Sequence, residues 1–194
     1  ASVGFVPLND LGAGFHVALW STPYLEDAAE PLKGEATQRG FFPREVGILL
    51  NKWGAPIDFT SPDASAYWRG LVQRYTAMGI DGFKLDYAED VVPSIGAKRN
   101  VWRFSDGSDE RTMHHRYSGL YHRVYADAAS GREPGASAPN VGLPFLLVRA
   151  AHWGEQTQGV IVWPGDMDAT FTQYRERFTS RSGEQVTGVG GLPA

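Results

Sequence analysis

The sequence has no cysteine among its 194 residues, which excludes disulfide bonds and metal sites built on thiolates. It has no apolar run near the roughly 20 residues that a membrane-spanning helix needs. The given residues do not begin with Met, and we expect no signal peptide within them. The sequence also lacks clusters of Lys and Arg, and its formal net charge is -4, which argues against nucleic acid as a partner. We expect no nucleic-acid partner and no membrane partner, and the localisation stays open.

The hydrophobic share of 42% is ordinary for a globular domain and allows a sizeable core. Strand-like and helix-like segments alternate, which favours a parallel sheet closed or partly closed as a barrel. A complete eight-fold α/β barrel takes roughly 250 residues, so 194 residues are few for one. We therefore predict an α/β fold that forms part of a (β/α)8 TIM barrel, about four β/α units with long βα-loops.

Strands and helices are predicted from hydrophobic periodicity and from capping signals. The predicted strands, parallel and adjacent, are 14–20, 80–86, 143–149 and 159–163. Apolar residues at helical spacing predict two helices, 61–79 and 110–129. Ser61 is the predicted N-cap of the first helix, Pro62 takes its first position, and Gly79 ends it.

The segments between these elements are long and irregular. Residues 25–58 show no sustained period and contain several Gly and Pro residues. We expect them to form a long loop or small insert over the carboxyl face of the barrel. Residues 106–109 are interpreted as a solvated turn, because the full ligand series of a calcium loop is absent. A loop is predicted at 131–142, and a last helix is predicted to begin at Asp168 or Thr170.

Two carboxylates directly follow predicted strands. Asp86 ends the strand 80–86, and Asp166 follows the strand 159–163. In α/β barrels the chemistry sits at the carboxyl ends of the strands, so both side chains are expected to face one pocket. A helix cap or a turn is the alternative for either residue alone, and the second carboxylate argues against it.

Four motifs, in one order along the chain, resemble those of glycoside hydrolase family 31, the α-glucosidase and α-xylosidase family. Residues 81–89 resemble its nucleophile motif and residues 163–166 its acid/base motif. Residues 145–149 resemble a strand that ends in a substrate-binding Arg, and residues 14–24 an earlier barrel strand with its loop. The resemblance implies a retaining α-glycoside hydrolase that acts on α-linked sugars through a covalent glycosyl-aspartate intermediate.

The resemblance also implies a role for individual side chains. Asp86 is the predicted nucleophile and Asp166 the predicted acid/base, since retention needs an ionised carboxylate and a proton donor roughly 5–5.5 Å apart. Lys84, on the same strand face as Asp86, can keep that carboxylate anionic or bind a sugar hydroxyl. Arg149 is expected to contact sugar hydroxyls and the acid/base carboxylate. Glu89 is expected to support the substrate-binding site.

Aromatic residues are plentiful, with 6 Trp, 8 Tyr and 10 Phe, and most are assigned to the core. Trp20, Trp163 and Trp153 lie at or near predicted strand ends, where aromatic surfaces for sugars are built. Trp20 and Trp163 are predicted to bind substrate, and Trp153 is a candidate for packing or binding. His114 and His115 are interpreted as one packed and one solvent-facing residue rather than a metal site, because adjacent helical residues diverge. His114 also lies near a family position that contacts the pocket.

Three alternatives remain open: a retaining enzyme of the related α-galactosidase clan, an α-transglycosylase, and a catalytically inactive sugar-binding homologue. Lys84, Tyr87 and Ala88 stand where starch-type members carry Trp, Met and Asn, so the resemblance does not imply glucose specificity. No cofactor and no metal are expected. We expect residues 1–194 to be a partial catalytic barrel, an excerpt of a larger enzyme whose remaining chain completes it, and to be inactive alone.

Overall fold

The computed structural model describes residues 17–80, 82–92, 101–131, 145–163 and 170–172. Within these ranges the chain forms β1 Ala18–Ser21, α1 Leu32–Gln38, α2 Pro62–Thr76, β2 Gly82–Leu85, α3 Glu110–Ala129, β3 Phe145–Val148 and β4 Val160–Val162. Short 3-10 segments lie at Asp27–Ala29 and Glu155–Gln158. No helix in the described part of the chain is both long enough and apolar enough to span a membrane.

The four strands form one parallel sheet in the order β1-β2-β3-β4. Strands that follow one another in the chain are therefore neighbours in the sheet, as in successive units of an α/β barrel. The register places Trp20 of β1 beside Lys84 of β2, and Lys84 beside Leu147 of β3. The predicted parallel, adjacent strands are confirmed in the described residues. They are shorter than predicted, at three or four residues each.

The capping signals in the sequence set the start of α2. The hydroxyl of Ser61 accepts the N–H of Ala64 at 3.3 Å, and Pro62 occupies the first turn, where an N–H has no partner within the helix. One face is buried: Ala64, Trp68 and Val72. Gly79 has φ +89°, a left-handed conformation that glycine adopts without a Cβ penalty, and it turns the chain into β2.

α3 has more buried residues than either of the other described helices and spans the range predicted for it. Asp109 is its N-cap and accepts the N–H of Arg111 at 3.0 Å. Residues spaced four apart form a buried aromatic stripe that packs on Phe59 and Phe83: Tyr117, Tyr121 and Tyr125. The helix thus covers the sheet and also packs against α2.

The segment 25–58 is more ordered than its sequence predicts. It contains α1, which buries only Ala36, so two helical turns leave no periodic apolar pattern to detect. The segment ends where it began, because the N–H of Ile57 donates to the carbonyl of Pro23 at 2.9 Å. This hydrogen bond joins the two ends of the long segment, which explains how an irregular sequence is held over the sheet.

Several sequence predictions fall outside the described residues. The loop 131–142 is described only at Gly131, and the last helix only at residues 170–172. The start of the first predicted strand, residues 14–16, is also outside.

Candidate active site

Three predicted site residues begin at the same edge of the sheet. Asp86, Arg149 and Trp163 directly follow β2, β3 and β4. The backbone N–H of each donates to a carbonyl of the neighbouring strand, at 2.7–3.0 Å. The parallel ladder thus continues one step beyond the strands and fixes where these side chains start. This is the carboxyl edge, where α/β barrels place their functional groups.

The carboxylate of Asp86 is buried and receives two donors on one oxygen. Lys84 Nζ and Trp20 Nε1 each lie 2.8 Å from Oδ2. Lys84 reaches this oxygen because side chains two residues apart in a strand point to the same face. Trp20 reaches it because Trp20, on β1, is the register partner of Lys84 on β2. Burial of Asp86 opposes ionisation, but the hydrogen bonds from Lys84 and Trp20 outweigh it. The pKa of Asp86 therefore lies below its ordinary value.

Arg149 connects Asp86 with Glu89. Its Nε lies 2.7 Å from Glu89 Oε1, and its Nη1 lies 3.7 Å from Asp86 Oδ1. The guanidinium carbon is 4.3 Å from the ring centroid of Tyr87, within the cation–π range. Tyr87 contacts the flat face of the guanidinium and Glu89 contacts its edge, so the position of the guanidinium is well defined.

The backbone after Asp86 is left-handed at two residues that are not glycine. Tyr87 has φ 61° and Ala88 has φ 80°, a conformation that costs roughly 1–2 kcal/mol per residue. Two hydrogen bonds hold it: Tyr87 N–H to Asp86 Oδ1 at 3.1 Å, and Ala88 N–H to Tyr24 Oη at 3.4 Å. Strain of this kind concentrates at functional sites, and here it directly follows the candidate nucleophile.

An aromatic wall formed by Trp20, Tyr24, Trp53 and Tyr87 flanks Asp86. Trp53 stacks on Tyr24 with ring centroids 5.9 Å apart, and it meets Tyr87 edge-on at 4.5 Å. Its centroid lies 6.0 Å from that of Trp20, the residue that donates to Asp86. The sequence predicts a loop over this face, but no periodic pattern singles out Trp53 within it. The loop thus contributes a ring that contacts Trp20 and Tyr87, the aromatic residues beside the carboxylate.

Asn51 holds the turn that carries Trp53. Its Oδ1 accepts the N–H of Trp53 at 2.7 Å, and its Nδ2 donates to Asp90 Oδ2 at 3.1 Å. Asp90 is buried, and burial raises its pKa to about 6 although the charge of Arg149 opposes the shift. Neither Asn51 nor Asp90 is predicted from the sequence as a site residue, because their contact joins segments 39 residues apart.

The remaining predicted residues are placed as follows. The ring of Trp163 lies under Lys84, whose Nζ is 3.9 Å from its centroid. His114 directs Nδ1 at the carbonyl of Val91, at 3.0 Å. Trp153 is fully exposed and lines a separate cavity. Asp166 lies outside the described residues, so its position relative to Asp86 stays a prediction. Among the side chains that are described, no group of three is arranged to hold a metal ion.

A parallel sheet that presents a carboxylate, a paired Arg and aromatic rings at its carboxyl edge is typical of an α/β-barrel domain with a functional site at that edge. The sequence matches the glycosyl hydrolases family 31 TIM-barrel domain over residues 7–190. The chain therefore belongs to glycoside hydrolase family 31, and its sheet is part of a (β/α)8 barrel.

The most similar curated relatives include two α-xylosidases. The chain is 28% identical over 169 residues to an α-xylosidase of Emericella nidulans, which covers 84% of this chain and 20% of that protein. It is 32% identical over 117 residues to the α-xylosidase XylQ of Lactiplantibacillus pentosus, which covers 57% of this chain and 14% of that protein. The chain thus spans about a fifth or less of these relatives.

A solved structure supports the fold. A family 31 sulfoquinovosidase from E. rectale, in complex with an aza-sugar inhibitor, superposes with a TM-score of 0.67 at 21% identity. The superposition covers 87% of this chain and 24% of that chain. At this identity the likeness shows the barrel fold alone.

Proposed function

We propose that the protein containing this chain is a retaining α-glycoside hydrolase with Asp86 as its nucleophile. The observation that carries the proposal is the environment of the Asp86 carboxylate. It is buried at the carboxyl edge, and Lys84 Nζ and Trp20 Nε1 each lie 2.8 Å from its Oδ2. These donors favour the ionised carboxylate, the form that attacks an anomeric carbon. The names of the family 31 relatives, which are glycosidases, support the reaction class.

The proposed reaction has two steps. In the first, an oxygen of Asp86 bonds to the anomeric carbon while the bond to the leaving oxygen breaks, and Asp166 gives that oxygen a proton. In the second, Asp166 takes a proton from water, and the water oxygen displaces Asp86 from the anomeric carbon. Two displacements on one carbon return the α configuration, which is the retaining outcome.

Five side chains are proposed to bind the sugar: Arg149, Lys84, Trp20, Trp163 and Glu89. Arg149 and Glu89 form a charged pair beside Asp86, and the forked donors of Arg149 suit neighbouring hydroxyls. Trp20 is half exposed and directs its N–H at Asp86, so its ring borders the same space. These contacts support a polar pocket with aromatic sides, the common form of a sugar site.

The substrate class that we propose first is the α-xylosides, because two relatives are named α-xylosidases. α-Glucosides come second. An α-transglycosylase would share the first step and pass the glycosyl group to a sugar hydroxyl instead of water. Product analysis with and without an added sugar acceptor distinguishes the two activities.

We further propose that residues 1–194 form part of a catalytic barrel whose remaining strands come from the same parent chain. The described residues contain four strands, and an eight-stranded barrel needs eight. The chain covers 20% of the α-xylosidase of Emericella nidulans, which supports a longer parent protein.

The decisive experiment compares Asp86→Ala and Asp166→Ala in the full-length protein. Asp86→Ala should abolish hydrolysis of every α-xyloside, because no other group forms the glycosyl intermediate. Asp166→Ala should lower cleavage of a natural sugar by roughly 10²–10⁴-fold, the usual contribution of general acid catalysis. With a fluoride or dinitrophenolate leaving group, which needs no proton, the intermediate should accumulate on Asp86 and be detected by mass spectrometry.

Azide provides the matched test of the second step. It needs no general base, so it should restore turnover in Asp166→Ala and release the α-glycosyl azide. A β-azide, or no rescue, would contradict the assignment of Asp166 or the retaining mechanism. A full-length protein without turnover on any α-glycoside that still binds sugar would favour the inactive homologue.

A further inference from the structure

A cavity of about 430 Å³ lies between α3 and the segment that follows β3. His115 lines it from α3, and His152, Trp153 and Glu155 line it from the other segment. Asp86, Lys84 and Arg149 are not among its lining residues, so it is separate from the carboxylate site. The proposed glycosidase reaction assigns no role to this cavity.

The two imidazoles of this cavity approach each other through the same ring nitrogen. Nδ1 of His115 and Nδ1 of His152 are 3.2 Å apart, and the ring planes are inclined by 73°. A tetrahedral zinc site with metal–nitrogen distances of about 2.0–2.1 Å holds two of its nitrogens about 3.3–3.4 Å apart. The observed separation therefore fits two imidazoles on one ion.

A buried link sets the relative position of the two histidines. Glu155 Oε1 accepts the backbone N–H of His152 at 3.0 Å and the hydroxyl of Ser118 at 2.7 Å. Ser118 lies on α3, three residues after His115, so Glu155 joins the two segments that carry the imidazoles. Glu155 is 5% exposed, and a buried link of this kind holds the pair more firmly than two free surface loops would.

We propose that His115 and His152 form a binding site for one divalent transition-metal ion, with Zn²⁺, Ni²⁺ and Cu²⁺ as the class of ligand. These ions favour imidazole nitrogen, whereas Mg²⁺ and Ca²⁺ favour oxygen. Water completes the coordination, and the cavity has room for it because each water needs only about 30 Å³. The bound ion links α3 to the segment that follows Arg149.

The charged residues around His115 and His152 predict that the ion binds with modest affinity. Arg116 and Arg123 also line the cavity and disfavour a cation. Arg116 is paired with Asp106 at 3.3 Å, and the carboxylate of Glu155 lies against the His152 backbone. His114 is next to His115, but its Nδ1 faces the carbonyl of Val91 and it is not counted as a ligand.

The test uses the full-length protein without a histidine tag, titrated with ZnCl₂ by calorimetry and followed by thermal unfolding. We expect binding that raises the unfolding midpoint and is reversed by EDTA. His115→Ala and His152→Ala should each weaken this binding by at least about 10-fold, since even an outer contact to a metal ligand is worth 10–100-fold. Arg116→Ala, which alters the same cavity without removing a ligand, should bind at least as well, and MgCl₂ should have no effect.

A second measurement needs no variant. Cu²⁺ added at one equivalent should give an electron paramagnetic resonance spectrum with coupling to two imidazole nitrogens. A hydrogen bond between the two rings is the competing explanation of their approach, and it predicts no metal-dependent heat or midpoint shift. That result, or unchanged Zn²⁺ binding in both histidine variants, would overturn the proposal.

Discussion

At the residue scale, the charge of Asp86 depends most directly on Lys84. Lys84→Met removes a hydrogen bond and a positive charge from Oδ2, so the pKa of Asp86 should rise. The acidic limb of kcat/KM should then move to higher pH, because a protonated Asp86 cannot attack. The measurement is a pH–rate profile of the full-length protein with a nitrophenyl α-xyloside. Lys33→Met, on α1, is the control and should leave the limb in place. An unmoved limb in Lys84→Met would show that Lys84 serves substrate binding alone.

Asp90 makes a second prediction at this scale, about stability. Its pKa is raised to about 6, so between about pH 4 and 6 the folded state holds a proton that the unfolded chain has lost. Rising pH through this window therefore weakens folding, and Asp90→Asn should escape that loss. The amide can still accept the Nδ2–H of Asn51.

The expected result is a difference in the free energy of unfolding between Asp90→Asn and the wild type that grows from pH 4.5 to pH 8. Its size follows from 1.36 kcal/mol per pKa unit and is roughly 3 kcal/mol at pH 8. Thermal unfolding of the full-length protein at both pH values measures it. Asp63→Asn, which removes an exposed acid at the start of α2, is the control. A free-energy difference for Asp90→Asn that stays constant with pH would mean that ionisation of Asp90 does not destabilise the folded state.

At the element scale, the 3-10 segment Glu155–Gln158 is joined to α3 through one buried carboxylate. Glu155 accepts from Ser118 and from the backbone of His152, and its other oxygen meets Nδ1 of the buried His122. Glu155→Ala leaves these groups buried without an acceptor, and breaking such a buried pair costs roughly 3–5 kcal/mol. Glu155→Gln keeps an acceptor oxygen and should cost clearly less.

Urea unfolding of both variants in the full-length protein measures this difference. Asp27→Asn is the control, because its ion pair with Lys33 is exposed and should matter little. Equal losses for Glu155→Ala and Glu155→Gln would show that the negative charge, rather than the acceptor, joins the two elements.

The helices and strands also show how much of the fold and of the candidate site can be predicted from the sequence. Caps and periodic faces are local signals, so Ser61, Pro62 and the stripe of α3 give both long helices nearly to the residue. Asp86 and Arg149 follow from motifs at strand ends. The wall around Trp53, the Asn51–Asp90 contact and the facing His115 and His152 depend on chain segments far apart in sequence. No local pattern encodes these contacts, so they appear only when the chain is folded.

At the scale of the whole molecule, the sheet has two edges that the described residues leave unpaired. β1 pairs only with β2 and β4 only with β3 within the described part of the chain. Exposed apolar side chains lie on these outer strands, with Trp20 54% and Val162 40% exposed. In a (β/α)8 barrel every strand is paired on both sides, so unpaired edges of this kind fit a sheet that further strands complete.

Residues 1–194 produced alone should therefore lack turnover and should self-associate. Open edges present unpaired N–H and C=O groups to other copies, so the sedimentation profile should shift to larger species as concentration rises. Turnover should be absent because we propose that part of the sugar pocket comes from strands outside residues 1–194, even though Asp86, Lys84 and Arg149 are all present. The full-length protein is the control and should sediment as one species and cleave the α-xyloside. A monomeric 194-residue chain with measurable turnover would show that these four strands already form a complete site, and that the rest of the barrel only supports it.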